Sequence, residues 1–200
     1  SLGDSLRALS SNEALVGQIV HIRLADGTYS LDVSAVNGVQ TFNSTLIVSS
    51  IRISGSGATV ITSDSDGAAN RASLLSVAPG ATATFDNLQF RNSSALPLVV
   101  DGGSVFVINC TFAHNTKGAI IMNGGDLSIA NTTFVGNLND HGGALQQSGG
   151  TVAISLSNFT NNIATDAGGA IHVVTGNMTL TGAYLLNNVA SRGGAIAANG

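Results

Sequence analysis

The chain has 200 residues, of which 44% are hydrophobic and only 9% are charged, with a formal net charge of −4 and no basic run. This charge pattern argues against nucleic-acid binding, and no apolar run approaches the ~18 residues of a transmembrane helix. Glu13 and Lys117 are the only Glu and Lys, whereas Ser, Thr, Asn, Val and Ile are abundant, so strands and turns are predicted rather than helices.

The opening segment, residues 1–17, is predicted to form a short N-terminal capping helix. Asp4 is placed to cap it, and Leu6, Leu9 and Leu15 would give it an apolar stripe. Such a helix would cover the open end of the first coil of a β-structure, where an uncovered sheet end invites edge pairing.

Residues 18–79 predict irregular coils of short strands separated by turns. Apolar residues mark the strands, and Asp26-Gly27 and Gly55-Ser56-Gly57 mark turns. The predicted strands cover residues 22–24, 45–48, 51–53 and 59–61.

From residue 80 onward the sequence repeats every 22 to 26 residues around a Phe or Leu mark. Apolar or small residues recur seven, five and two positions before each mark, which predicts inward side chains on a first and then a second strand. The third position before the mark predicts a left-handed bend, and Asn or Gly suits it except where Leu156 stands. The marks are Phe90, Phe112, Phe134, Phe159 and Leu185.

A third strand precedes the first in each repeat, and small residues introduce it. Gly-Gly-Ala stands before it at 142–144, 168–170 and 193–195. All length variation falls between the mark and this third strand, in steps of 8 to 12 residues. A β-sandwich is the competing architecture, but it would not hold register over four consecutive repeats.

Three short strands, two tight bends and one elastic loop predict an all-β fold, a right-handed parallel β-helix of roughly seven to eight coils. The sequence favours one domain over residues 1–200, with a cap at 1–17, irregular coils at 18–79 and regular coils at 80–200. The last residues begin another third strand, so further coils are expected to follow in a longer chain.

Two acidic residues of the elastic loops, Asp140 and Asp166, each stand two positions before a Gly-Gly pair. They are expected to lie one coil apart, with His141, His172 and Arg192 nearby. One interpretation is a small Ca²⁺ site, although Ca²⁺ prefers six or more oxygens and only two carboxylates converge. The other interpretation is solvated loop charge.

The remaining polar columns predict structure rather than chemistry. The four His residues, at 21, 114, 141 and 172, occupy different columns without metal-ligand spacing. Cys110 is the only cysteine and is predicted to face the core. A column of four Asn is predicted to form an internal ladder whose side chains bind the main chain at the bends. The ladder comprises Asn115, Asn137, Asn162 and Asn188. No catalytic residue, metal ligand or cofactor is assigned.

The repeat motifs resemble those of a known family. Phe112-Ala-His-Asn115, Phe134-Val-Gly-Asn137 and Phe159-Thr-Asn-Asn162 resemble the FxxN motif of chlamydial polymorphic outer membrane protein repeats, and the Gly-Gly-Ala-Ile/Leu segments resemble its partner motif. The resemblance covers about residues 80–200, while the opening half is similar to pectin-lyase-like proteins. It implies a non-enzymatic adhesin or autotransporter passenger, secreted or at the cell surface, and associated with the outer membrane if the source is bacterial.

The elastic loops are predicted to form a partner-binding edge, because binding usually resides on variable loops of repeat proteins. The expected partner is a protein of a host or neighbouring cell surface, or a polysaccharide. Since pectin-lyase-like folds also host enzymes, the alternatives are a polysaccharide lyase or glycoside hydrolase with its site partly elsewhere, and a purely architectural spacer. The candidate residues are Asn139, Asp140, His141, Thr165, Asp166, Ser191 and Arg192.

Overall fold

The computed structural model describes residues 19–30, 45–47, 50–63 and 73–199. Within these ranges all the regular secondary structure is β-strand and there is no helix, so the all-β prediction is confirmed. The predicted capping helix at 1–17 lies outside the described residues.

The described residues form nineteen strands, which are numbered in chain order. They are β1 (Val20–Arg23), β2 (Gly27–Ser30), β3 (Thr45–Ile47), β4 (Ile51–Thr62), β5 (Ser73–Val77), β6 (Thr82–Arg91), β7 (Leu96–Ile108), β8 (Thr111–Ala113), β9 (Ile120–Ala130), β10 (Thr133–Val135), β11 (Leu138–His141), β12 (Leu145–Gln147), β13 (Thr151–Ser155), β14 (Asn158–Thr160), β15 (Ile163–Ala167), β16 (Ile171–Val173), β17 (Asn177–Thr181), β18 (Tyr184–Leu186) and β19 (Ile196–Ala198).

The strands wind into a parallel β-solenoid in which each strand pairs with its counterparts one turn away. The pairing matches the predicted register, since Phe90, Phe112, Phe134, Phe159 and Leu185 lie opposite one another in succession. Equivalent side chains therefore stack at the strand spacing of ~4.8 Å.

The solenoid has about five turns, fewer than the predicted seven to eight coils. Five complete turns run without interruption from Ser73 to Leu186, and the strands β1 to β4 pair below them. The segment 18–79 is described only in part, and its strands β1 to β4 are not counted among these complete turns.

The core is a set of buried columns that run along the solenoid axis. Four of the marks, all Phe, are fully buried and stack with ring centroids 4.7, 5.1 and 4.6 Å apart and ring planes within 8° of parallel. This face-to-face geometry follows from the fixed strand spacing, and burial of each ring contributes about 1.5–3 kcal/mol. The third-strand column is also buried, as predicted. It comprises Leu98, Ile120, Leu145 and Ile171.

The predicted left-handed bends are confirmed in every repeat. The φ angle is 54° at Asn87, 52° at Asn109, 48° at Asn131, 47° at Leu156 and 63° at Gly182. Leu is a poor choice for this conformation, which costs a residue with a Cβ roughly 1–2 kcal/mol.

The side chain of Leu156 is 65% exposed and lies over the next bend of the solenoid. A Cβ placed on Gly182 would come within 3.1 Å of the Leu156 Cδ2 atom. Because Gly182 has no side chain, the Leu156 side chain can pack over this bend without a steric clash.

A second left-handed column, which was not predicted, lies two positions after the mark. Its members share φ angles of 52° to 61°, and Asn and Gly predominate. This bend turns the chain from the second strand into the elastic loop. The column comprises Asn92, His114, Gly136, Asn161 and Asn187.

The Asn ladder is confirmed as an internal structural array. The Nδ2 atom of Asn137 donates to the Phe112 carbonyl at 3.0 Å and to the Oδ1 atom of Asn162 at 2.9 Å. Its own Oδ1 atom accepts from the main-chain and side-chain nitrogens of Asn115 at 3.2 and 2.9 Å. Asn162 repeats the pattern, and the half-buried Asn188 ends it by donating to the Phe159 carbonyl and accepting from Asn162, so the amides satisfy the bend backbone from turn to turn.

Cys110 is buried, as predicted, and belongs to a column of small donors. Its Sγ atom donates to the Ile108 carbonyl at 3.2 Å, as the Thr132 hydroxyl donates to the Ala130 carbonyl at 2.9 Å. Burial raises the pKa of the Cys110 thiol to about 12. The thiol therefore stays protonated and inert, because the thiolate is the reactive form.

Candidate functional site

The elastic loops form an ordered parallel ladder rather than irregular loops. Strand β11 pairs with β15 in a separate two-stranded sheet, and isolated bridges extend it from Ile163 to Val189 and from Ala167 to Arg192. We call this surface, residues 138–141, 163–167 and 189–192, the edge ladder. It adds a further ordered side to the last coils.

The Gly-Gly-Ala motif joins the edge ladder to the third strand through a corner that admits no side chain. Gly142, Gly168 and Gly193 have φ angles of 61°, 65° and 59°. A Cβ on each would lie only 2.1 to 2.2 Å from the carbonyl oxygen three residues later. Glycine is required for both reasons, and the corner holds the edge ladder close to the third strand.

The edge ladder contains all seven predicted partner-binding residues, but the half-buried Asn139 pairs with the buried Ala164 and lies against Gly118 rather than on the outer side. The Thr165 hydroxyl donates to Asp140 Oδ1 at 2.9 Å, and the Ser191 hydroxyl donates to the Thr165 carbonyl at 2.9 Å. The Asn139 Nδ2 atom donates to the His141 carbonyl at 2.8 Å. The first two of these bonds cross from one turn to the next and hold Asp140, Thr165 and Ser191 in a row, whereas the third lies within β11.

An ion pair between Arg192 and Asp166 lies at the end of this row. Arg192 binds Asp166 through two nitrogens, with Nε to Oδ1 at 3.0 Å and Nη2 to Oδ2 at 2.8 Å, and His141 Nδ1 lies 3.5 Å from Asp166 Oδ2. Both partners of the Arg192 pair are solvent-exposed, so the pair contributes at most about 1 kcal/mol. Its main effect is to orient the charged groups.

His172 is the residue of this site that the sequence did not assign to the partner-binding edge. It occupies an outward position on β16, opposite Gln146, yet it is only 6% exposed because the edge ladder covers it. Its ring lies 5.1 Å from that of His141, tilted by 31°. The sequence contained one sign of this site, because His172 is a titratable residue at an outward position of a third strand, in a coil whose elastic loop is long enough to cover it.

A row of exposed aliphatic side chains runs beside the polar row, and it too was missed. Leu138, Ile163 and Val189 are paired from turn to turn and are 40%, 46% and 58% exposed. In the preceding coil, where the elastic loop is short, the same position holds Thr116. Contiguous apolar surface rimmed by polar groups typically marks an interaction site.

Comparison with known proteins identifies the family of the chain. The model of the family described as "Right handed beta helix region" matches residues 35–200. The chain belongs to this right-handed β-helix family. No curated protein and no solved structure matches it significantly. The described residues include no helix that is long and apolar enough to cross a membrane.

The calcium hypothesis gains no support from this β-helix. The Asp140 carboxylate accepts from Thr165, and the Asp166 carboxylate is bound by Arg192. Within the described ranges, no three His, Cys, Asp or Glu residues are grouped so as to hold a metal ion. In this structure both carboxylates are hydrogen-bonded at the surface.

The position of His172 in the β-helix shifts its pKa below the ordinary imidazole value of 6.5. The largest cause is burial, and the charges of His141 and Arg192 act in the same direction. Asp166 and a hydrogen bond with the Asn199 side chain partly oppose the shift. The folded protein therefore binds fewer protons at this position than the unfolded chain near pH 6.5.

Mild acid is expected to destabilise the β-helix through His172. Since the unfolded chain takes up the proton first, this contribution is present above about pH 6.5 and is lost as the pH falls toward the lowered pKa. The His172→Gln variant, which copies the residue type found one turn earlier at Gln146, is expected to lose less thermal stability between about pH 7.5 and about pH 5 than the wild type. The exposed control His114→Asn should retain the wild-type slope, and a His172→Gln slope equal to wild type would contradict the assignment.

Proposed function

We propose that this β-helix is a non-enzymatic binding module of the cell exterior or surface, and that its edge ladder engages a protein partner. The observation that carries the proposal is the exposed aliphatic row of Leu138, Ile163 and Val189 beside a hydrogen-bonded polar row. Protein interfaces share this anatomy, an apolar centre with a polar rim that fixes orientation.

The chemistry of the row favours a protein over a polysaccharide among the partners that the sequence suggested. The three exposed side chains are aliphatic and stand in line along the axis, whereas sugar sites are typically concave and offer aromatic faces. The side chains are also held on paired strands, so little conformational entropy is lost when a partner binds. A rigid, mixed apolar and polar row suits a complementary protein surface.

The proposed location rests on the motif resemblance. The FxxN and Gly-Gly-Ala-Ile/Leu segments resemble the repeats of chlamydial polymorphic outer membrane proteins, which are surface-displayed adhesins and passengers. In this chain the same motifs build the Phe stack, the Asn ladder and the corner below the edge ladder. They supply a stiff rod on which a binding edge can be presented at a distance.

Replacement of the aliphatic row tests the proposal. The triple variant Leu138→Thr, Ile163→Thr, Val189→Thr should fold normally, because these side chains are exposed and Thr already stands at this position in the preceding coil. Binding of the labelled protein to intact cells is expected to fall at least tenfold, since an interface anchor is typically worth about 2 kcal/mol. Flow cytometry over a panel of cell types measures this binding.

The matched control is Phe106→Thr, which removes an equally exposed apolar side chain, 41% accessible, from a different face of the β-helix. This control should bind as the wild type does. Equal binding by the triple variant would contradict the proposed role of the row. Release of shortened oligosaccharides from polysaccharides, lost in an Asp140→Ala, Asp166→Ala double variant, would favour an enzyme instead.

A further inference from the structure

The bends between the first and second strands differ in length along the solenoid, and this difference creates a cleft. Three residues, 24–26, separate the paired positions of β1 from those of β2, and four, 55–58, separate the corresponding positions within β4. Between the corresponding positions of β6 only Asn87 intervenes. An open cleft of about 480 Å³ lies beside these longer bends.

The cleft is lined by two Arg residues, a His and an Asp from neighbouring strands. His21 lies opposite Arg52, and Arg23 lies opposite Ser54, which in turn lies opposite Asp86. All five line the cleft. They face outward because the alternate residues of these strands face the core.

The ion pairing in the cleft leaves one guanidinium available. Arg52 Nη2 binds Asp86 Oδ2 at 2.6 Å, which neutralises Asp86 and fixes Arg52. Arg23 is exposed and forms no ion pair with any residue of the described ranges. The Ser54 side chain stands beside it on the next strand.

This concentration of positive charge is local. The whole chain has only seven Lys and Arg residues and a net charge of −4, yet two of the seven line this cleft. From β7 onward the two outward columns that hold Arg52 and Arg23 contain no further charged residue, although Asp86 and Asp126 lie on the same face. These column positions hold Phe106 and Ile108 on β7, and Ser128 and Ala130 on β9.

We infer that the cleft binds an oxyanion group, such as the carboxylate or sulfate of an acidic sugar, or a free inorganic anion. Arg23 supplies a charged planar donor that can bind two oxygens at once. Arg52, held in place by Asp86, and the Ser54 hydroxyl supply further donors at the spacing of adjacent strands. The site lies on a different face from the edge ladder and does not depend on the proposed function.

Titration calorimetry with defined anions at low ionic strength tests the inference. Sodium sulfate, sodium phosphate and sodium glucuronate are the probes, and saturable binding that weakens as salt is added is expected. Arg23→Gln should reduce the affinity about tenfold or more, because a charge-assisted bidentate contact is lost. Arg23 is exposed, so this variant should fold, and circular dichroism checks that it does. Lys117→Gln, remote in sequence and outside the cleft, is the charge-matched control and should bind as the wild type does.

The probes also separate the two sources of the anion. Tighter binding of glucuronate than of the inorganic anions indicates an acidic sugar, and the reverse order indicates a free inorganic anion. The inference is overturned if the folded wild type shows no saturable binding, or if Arg23→Gln binds as the wild type does. The triple Thr variant of the edge ladder should retain anion binding, which keeps this result separate from the test of the proposed function.

Discussion

Asn137→Ala is expected to lower the free energy of unfolding by about 3 kcal/mol or more. The Asn137 side chain is fully buried and makes four hydrogen bonds, two as donor and two as acceptor. Its loss leaves the Asn115 main-chain N–H and the Phe112 carbonyl without their side-chain partner in a site closed to water. Each unsatisfied buried group costs about 1–3 kcal/mol. Equilibrium unfolding in urea measures the effect.

Asn123→Ala is the matched control for the ladder. Asn123 is exposed, and its Nδ2 atom donates to Asp101 Oδ1 at 2.7 Å on the surface. Water replaces that bond, so the free energy of unfolding should fall by only about 0.5 kcal/mol. Similar losses in the two variants would show that the ladder contributes no more than surface Asn does, and would contradict its structural role.

The regular coils could be predicted from the sequence because parallel, in-register stacking places like residues together. Each column then has a single environment, which a period of 22 to 26 residues reveals. Phe112 and Phe134, for example, share a mark, a burial state and a strand position. Even Leu156 adopts the left-handed bend that its column predicts, although its residue type argues against it. Register outweighs local propensity here.

The edge ladder could not be predicted in the same way, because its segments vary in length and so have no shared column. The sequence placed Asp140 and Asp166 near each other but gave no sign that the loops pair as strands. The burial of His172 depends on that pairing, since an outward strand residue is ordinarily exposed. The predicted edge residues all belong to this ladder, and their role in binding stays a prediction.

The opening half was the least predictable part, because no repeat sets its register. The predicted strands at 51–53 and 59–61 are one continuous strand, β4, which passes through the longer bend that borders the cation-lined cleft. The cleft depends on bend lengths in successive coils, and these lengths become apparent only when the coils are aligned by their hydrogen bonds.

Gly168→Ala is expected to lower the free energy of unfolding by about 3 kcal/mol or more, through the combined effects of strain and overlap. The new Cβ would lie 2.1 Å from the Ile171 carbonyl oxygen, and the φ angle of 65° disfavours any side chain. Main-chain atoms cannot move aside as a flexible side chain can, so the third strand must shift away from the edge ladder. Urea unfolding and amide hydrogen exchange of residues 163–173 measure the loss and its location.

Gly80→Ala separates the two causes of that loss. Gly80 also has a positive φ angle, 79°, but a Cβ there would meet no atom within 4 Å. This control should cost only the roughly 1–2 kcal/mol of the left-handed conformation. The further loss in the free energy of unfolding in Gly168→Ala, beyond that in Gly80→Ala, then measures the steric overlap at the Gly-Gly-Ala corner. If the two variants lose equal stability, the motif is required for its backbone conformation alone, and close packing against the third strand does not explain it.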